Sequence, residues 1–148
     1  MSAAGTTRIA AYTVCLDDAG RILLCRIGPN DLEVGMWTLP GGGLDFGEDP
    51  AAGVIRELEE EAGLTGQVER LISIDSRVYP PHVGRNGELH SIRILYRVAI
   101  TGGALRDEVG GSTDTCAWFT LDDARGLPLV DLAELGIELA GGMDAEVG

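Results

Sequence analysis

Over residues 90–100 apolar residues recur with a period of two, Ile92, Ile94, Tyr96, Val98 and Ile100 occupying every second position. A period of two puts them on one face of a β-strand. Residues 8–16 and 21–27 are rich in Val, Ile, Leu and Thr and flank Asp17-Asp18-Ala19-Gly20, a combination that predicts a β-hairpin. Residues 67–78 and 115–120, the latter carrying Trp118, predict two further strands. In between, the period changes. Val54, Ile55, Leu58 and Ala62 recur at helical spacing, Asp49 suits an N-cap, Pro50 a first helical position and Gly63 a stop, so a helix is expected over 49–63. A short helix at 121–126 and a longer one at 130–140 close the chain. Residues 28–35, 79–89 and 101–113 predict loops, with a short segment at 36–39 leading into the glycine run. Pro40 followed by Gly41, Gly42 and Gly43 is incompatible with a helix interior and allows backbone angles and close approaches that other residues cannot take, with a flexible turn as the plainer reading.

A chain of 148 residues, 45% hydrophobic, fits one domain spanning 1–148. Its apolar runs all fall short of the roughly 20 residues a membrane-spanning helix needs. Residues 1–7 lack the basic start and apolar stretch of a secretory signal, so the expectation is a soluble, cytoplasmic protein without a membrane partner. Cys15, Cys25 and Cys116 are odd in number and widely spaced, which predicts buried, reduced thiols. The net charge of −13 argues against a nucleic-acid polymer as partner, because such binding depends on neutralising phosphates with cations. A small polyanion would also be repelled unless a bound cation reversed the sign locally. All eleven basic residues are arginine, which removes Schiff-base lysine chemistry.

On the 49–63 helix, Glu57, Glu60 and Glu61 are related by steps of three and four, so they share a face with Cβ atoms about 5–6 Å apart. Like charges so placed destabilise a helix by roughly 0.2–0.5 kcal/mol per pair. They also crowd its C-terminal half, where the dipole disfavours anions. A divalent cation would explain the arrangement, since Mg²⁺ and Mn²⁺ prefer hard carboxylate oxygens. Spacing alone weighs that reading evenly against a solvated acidic face.

The wider pattern tips the balance. Gly42, five residues, Glu48, seven residues and then Arg56-Glu57-Leu58-Glu59-Glu60-Glu61-Ala62-Gly63-Leu64 resembles the Nudix box of MutT-like hydrolases at every defined position. Trp37-Thr38-Leu39-Pro40-Gly41-Gly42 resembles the family's lead-in, and Ala117-Trp118-Phe119 its late strand. The resemblance implies an α/β fold, an α/β/α sandwich around a central mixed sheet. It implies Glu57 and Glu61 as principal ligands of Mg²⁺ or Mn²⁺, with Glu60 a further ligand or the general base. It pairs Arg56 with Glu48 to orient loop and helix, has Gly42 fold the loop tightly, and turns the Gly41 carbonyl toward the metal. Leu58, Leu64, Val54 and Ile55 become core positions, Gly63 a structural stop, and Glu59 a solvated residue.

The implied activity is metal-dependent hydrolysis of a diphosphate bond in a small nucleotide. Candidates are ADP-ribose, a nucleoside triphosphate (oxidised forms included) and a dinucleoside polyphosphate. The alternative is a nucleotide-binding regulatory Nudix domain without turnover, although such domains usually have altered glutamates. An acidic interaction protein that merely mimics the box is the third reading. Asp107 and Glu108 are loop candidates for the base. Pro80, sixteen residues beyond Leu64, resembles a spacing of ADP-ribose-hydrolysing members, yet it is equally well explained as loop punctuation. Arg26, Arg77, Arg85 and Arg93 are candidate phosphate clamps, and Tyr79 a candidate stacking residue. His82 and His90 read as loop residues, and Trp37 and Trp118 as core. Members of the family are often homodimers, so the resemblance allows one here.

Overall fold

The period of two that predicts the strands also divides the core. The computed structural model describes residues 5–29, 31–81 and 86–147, with side chains through Met143; His82 and Arg85 lie outside the described residues. The elements in chain order are β1 (Thr6–Val14), β2 (Ile22–Ile27), β3 (Trp37–Thr38), β4 (Gly41–Gly43), α1 (Pro50–Ala62), β5 (Leu64–Tyr79), β6 (Leu89–Gly103), β7 (Thr113–Phe119), α2 (Leu121–Arg125) and α3 (Asp131–Val147). A four-stranded mixed sheet runs β4-β1-β6-β5, and a three-stranded antiparallel sheet runs β3-β2-β7. Only the β1–β6 pair is parallel among the described strands.

Alternate residues of one strand feed opposite cores. Ala11 of β1 and Leu23 and Cys25 of β2 pack with Val54, Leu58 and Ala62 of α1. Their neighbours Val14, Ile22 and Leu24 pack with Leu132, Ala133, Ile137 and Ala140 of α3. The two long helices therefore cover opposite faces, which is the expected α/β/α sandwich, with the strands divided between two sheets.

Three expectations need correction. The predicted hairpin forms its turn, with Gly20 at φ 76° and the Asp17 carboxylate accepting from the Ala19 and Arg21 amides. Its strands then part: beyond β1 the chain bridges to β2 at Leu16–Ile22, and β1 and β2 enter different sheets. Partners distant in sequence, β6 and β4 for one strand and β7 for the other, win over the local pairing. The glycine run is a strand rather than a turn, β4, with Gly41 opposite Tyr12 of β1. Finally, the cysteines are not all reduced thiols. The β2–β7 register sets Cys25 directly opposite Cys116, Cα atoms 4.0 Å apart, and the two form a disulfide across 91 residues of sequence. Cys15 is the free thiol, buried, with burial pushing its pKa up to about 12.

Helix α1 forms where its caps place it. The Asp49 side chain accepts from the Ala52 amide at 3.1 Å, a contact worth about 1 kcal/mol. Gly63, at φ 75°, ends the helix and donates to the Glu59 carbonyl.

Candidate active site

The site grows from the junction of β4 and α1. Gly41 takes φ 148°, and a Cβ there would stand 2.2 Å from the Ala11 carbonyl oxygen, so only glycine lets β4 press against β1. A Cβ on Gly42 would reach 3.1 Å from the Glu57 carboxylate. The bare strand thus brings backbone up to the acidic face of α1.

The three glutamates occupy different environments rather than one solvated face. Glu60 is exposed, Glu57 half-buried and Glu61 buried at 1% exposure. The Gly41 amide donates to Glu61 Oε1 at 3.3 Å, whereas Oε2 has no hydrogen-bond partner among the described residues. Burial, reinforced by the Glu57 carboxylate, holds the Glu61 carboxyl well above its usual range. Cys116 Sγ lies 3.6 Å from the Glu61 carbonyl, so the disulfide underpins this turn of the helix.

Arg56 joins loop to helix. Its Nε and Nη2 grip both oxygens of Glu48 at 2.6 and 2.8 Å, Nη1 reaches Glu57 at 3.2 Å and Glu60 at 3.1 Å, and Nη2 donates to the Gly43 carbonyl at 3.4 Å. Hydrogen bonding from Arg56 holds the Glu48 pKa down at about 2. Glu108, on the 104–112 loop, faces the same helix. Burial raises its pKa, the amides of Thr113 and Ser112 lower it, and the charges of Glu57 and Glu60 raise it again. Asp107 is turned away and accepts from the Thr115 hydroxyl at 2.7 Å.

The fit of a divalent cation rests on this donor set. A buried carboxyl oxygen without a partner, beside a second carboxylate and an exposed third, offers hard ligands whose ionisation a cation would favour. Among the described residues no three such side chains already converge as a metal cage, and Glu57 and Glu60 are each paired with Arg56. Mg²⁺ suits such a face, since it keeps waters and shares substrate phosphates.

A cavity of about 780 Å³ opens beside Gly41 and Gly42. Arg77 and Tyr79 line it, with the Arg77 guanidinium 5.1 Å from the Tyr79 ring centre. Arg93, also lining it, is almost wholly buried and bonded to Asp75, Asp131 and Tyr79. Arg26 is elsewhere, gripping Asp114 and lying over Trp37. His90 sits in β6 opposite Val78, in a strand rather than a loop. Sequence reasoning missed Arg8, Asp75 and Asp131. The alternation of β1 sets Arg8 on the face of Tyr12, but nothing in the sequence marks that face as the cavity wall.

A family model described as NUDIX domain matches residues 6–136, and the chain belongs to that family. An RNA pyrophosphohydrolase of Acidiphilium cryptum is 44% identical over 73 residues, covering 44% of this chain and 42% of that protein. A putative ADP-ribose pyrophosphatase of Bacillus subtilis is 32% identical over 105 residues, covering 69% of this chain and 45% of that protein. The chain thus spans less than half the length of these two curated relatives. The crystal structure of a MutT NUDIX hydrolase from Burkholderia pseudomallei superposes with a TM-score of 0.73 at 29% identity, covering 90% of this chain and 98% of that one. No described helix is long and apolar enough to cross a membrane.

Proposed function

We propose that this chain is a metal-dependent pyrophosphohydrolase that cleaves the diphosphate linkage of a small nucleotide. The observation that carries the reading is the buried Glu61 carboxyl, one oxygen without a partner, set beside Glu57 where the glycine strand meets the cavity. A stability-driven sequence would not bury an acid there unpaired. Glu57 and Glu61 would hold the cation, with Glu60 as a further ligand; Mg²⁺ or Mn²⁺ would neutralise charge on the phosphoanhydride oxygens.

The chain's own residues supply the rest. Arg56 fixes the carboxylates and, through Glu48, the loop that carries them. Glu60 or Glu108 accepts the proton of the attacking water, and Glu108 is oriented for it by two backbone amides. The bond formed is from water oxygen to phosphorus, and the bond broken is from phosphorus to the bridging oxygen, which leaves on the second phosphate. A nucleoside-diphosphate-linked substrate such as ADP-ribose is favoured by the size of the cavity, the Tyr79–Arg77 stack, and the similarity to the putative ADP-ribose pyrophosphatase of Bacillus subtilis. The charge of −13 disfavours a long polyanion.

The test is a panel of ADP-ribose, nucleoside triphosphates, sugar nucleotides and dinucleoside polyphosphates, with Mg²⁺ or Mn²⁺, against wild type and the Glu61→Gln, Glu60→Gln and Glu108→Gln variants. Wild-type turnover, abolished by EDTA and lowered about 100-fold or more in Glu61→Gln, is expected. Undiminished turnover in Glu61→Gln sinks the assignment. Nucleotide binding without turnover across the panel replaces it with a non-catalytic binding domain.

A further inference from the structure

We infer that the cavity is polarised, and that Arg8 is the anion anchor that holds the phosphate chain of a nucleotide along the bare glycine strand. This rests on reading the cavity as a nucleotide site and adds the direction in which the ligand lies.

Among the described residues the cavity is lined by three arginines, Arg8, Arg77 and Arg93. Two are already neutralised. Arg77 Nη1 is 2.7 Å from Asp131, and Arg93 binds Asp75 and Asp131. Asp31 and Glu33 line the same end, and the charges of Asp31, Asp131 and Arg77 all act on Glu33. Four carboxylates therefore face two guanidiniums, and a phosphate placed there meets net negative charge.

The other end is the reverse. Arg8 is exposed in β1 and has no carboxylate partner among the described residues. A Cβ on Gly43 would stand 3.1 Å from Arg8 Nε and 3.2 Å from Nη2. Next to it, a Cβ on Gly42 would stand 3.1 Å from the Glu57 carboxylate. Neighbouring residues of a strand face opposite ways. The glycine strand thus separates an acidic, cation-seeking helix from the Arg8 guanidinium, with no side chain of its own in the way.

In a chain of net charge −13, an arginine without a carboxylate partner among the described residues, set in a concave site, is where an anion is least disfavoured. Its planar fork matches two phosphate oxygens at once. At the opposite end Tyr79 offers a ring face, and Asp131 and Glu33 offer acceptors for the N–H donors of a neutral base or the O–H donors of a sugar. Phosphates toward Arg8 and base toward Tyr79 is the one orientation that both ends favour.

Calorimetry of ADP and GDP, each against its nucleoside, tests this on the full chain with Mg²⁺ and again with EDTA. The wild type should prefer each diphosphate to its nucleoside. Arg8→Ala should weaken the diphosphates about 10- to 100-fold while leaving the nucleosides within about twofold. Arg8→Lys should fall between, because it keeps the charge and loses the fork. Any substrate turned over should show a raised KM in Arg8→Ala with kcat little changed. Diphosphate affinity unchanged in Arg8→Ala, or a wild type that prefers nucleosides, overturns the inference. Arg8-dependent binding without turnover leaves it standing and removes only the hydrolase reading; turnover indifferent to Arg8 does the opposite.

Discussion

At the scale of single residues, two neighbouring glycines with one sequence signature do different work. Gly41 combines φ 148° with backbone 2.2 Å from an added Cβ, whereas Gly42 meets only the tip of Glu57 at 3.1 Å. Gly41→Ala should therefore cost about 3 kcal/mol or more, and Gly42→Ala about 1 kcal/mol or less, as read by urea unfolding. Equal losses would mean the strand yields freely. Glu48 carries a pH signature of opposite sense to its buried neighbour Glu61. Its folded pKa is lowered to about 2 from 4.5, so its stabilisation is present above about pH 4.5 and fades as the pH falls through 2. The melting-temperature gap between wild type and Glu48→Gln should hold constant from neutral pH to about pH 5 and narrow toward pH 2. A gap that widens in acid would contradict the Arg56–Glu48 pairing.

Elements show how local codes meet non-local partners. The sequence of α1 writes its own start, face and stop, and the helix runs from Pro50 to Ala62 as its caps dictate. β2 carries no such instruction: its register with β7 across 91 residues creates the Cys25–Cys116 disulfide. Denatured protein should titrate one free thiol, from Cys15, and three after reduction. A count of three before reduction would refute the bond. In the loop-closure description a bridge of this span stabilises by about 3–5 kcal/mol, and Cys25→Ser with Cys116→Ser should lose a comparable amount if the sheet keeps its register.

For the whole molecule, the deciding quantity is charge. A chain at −13 repels itself, although most described arginines are paired with carboxylates. Screening relieves repulsion over distances beyond about 10 Å while close pairs keep most of their attraction. Raising NaCl from about 20 to about 200 mM should therefore raise Tm by a few degrees. A fall in Tm would mean that the ion pairs outweigh the repulsion. The same imbalance bears on the cavity, where charge is segregated between Arg8 and the Asp75–Asp131 end.

The sequence by itself determined what depends on neighbours three or four residues apart: helix α1, its caps, the glutamate spacing and, through the Gly42–Leu64 pattern, the family. The strands with a period of two were legible too, because that period is local, whereas β4, three glycines without a side-chain pattern, was not. Which strands pair was not, since β1 chose β6 and β4 over the adjacent β2, and contact between distant segments leaves no periodic trace. The same reason hid the disulfide, the burial of Glu61 beneath β4, and the meeting of Arg8 with Gly43. Tertiary structure alone decided which carboxyl lost its water, which arginine kept its charge unspent, and hence where the cavity is positive and where it is not.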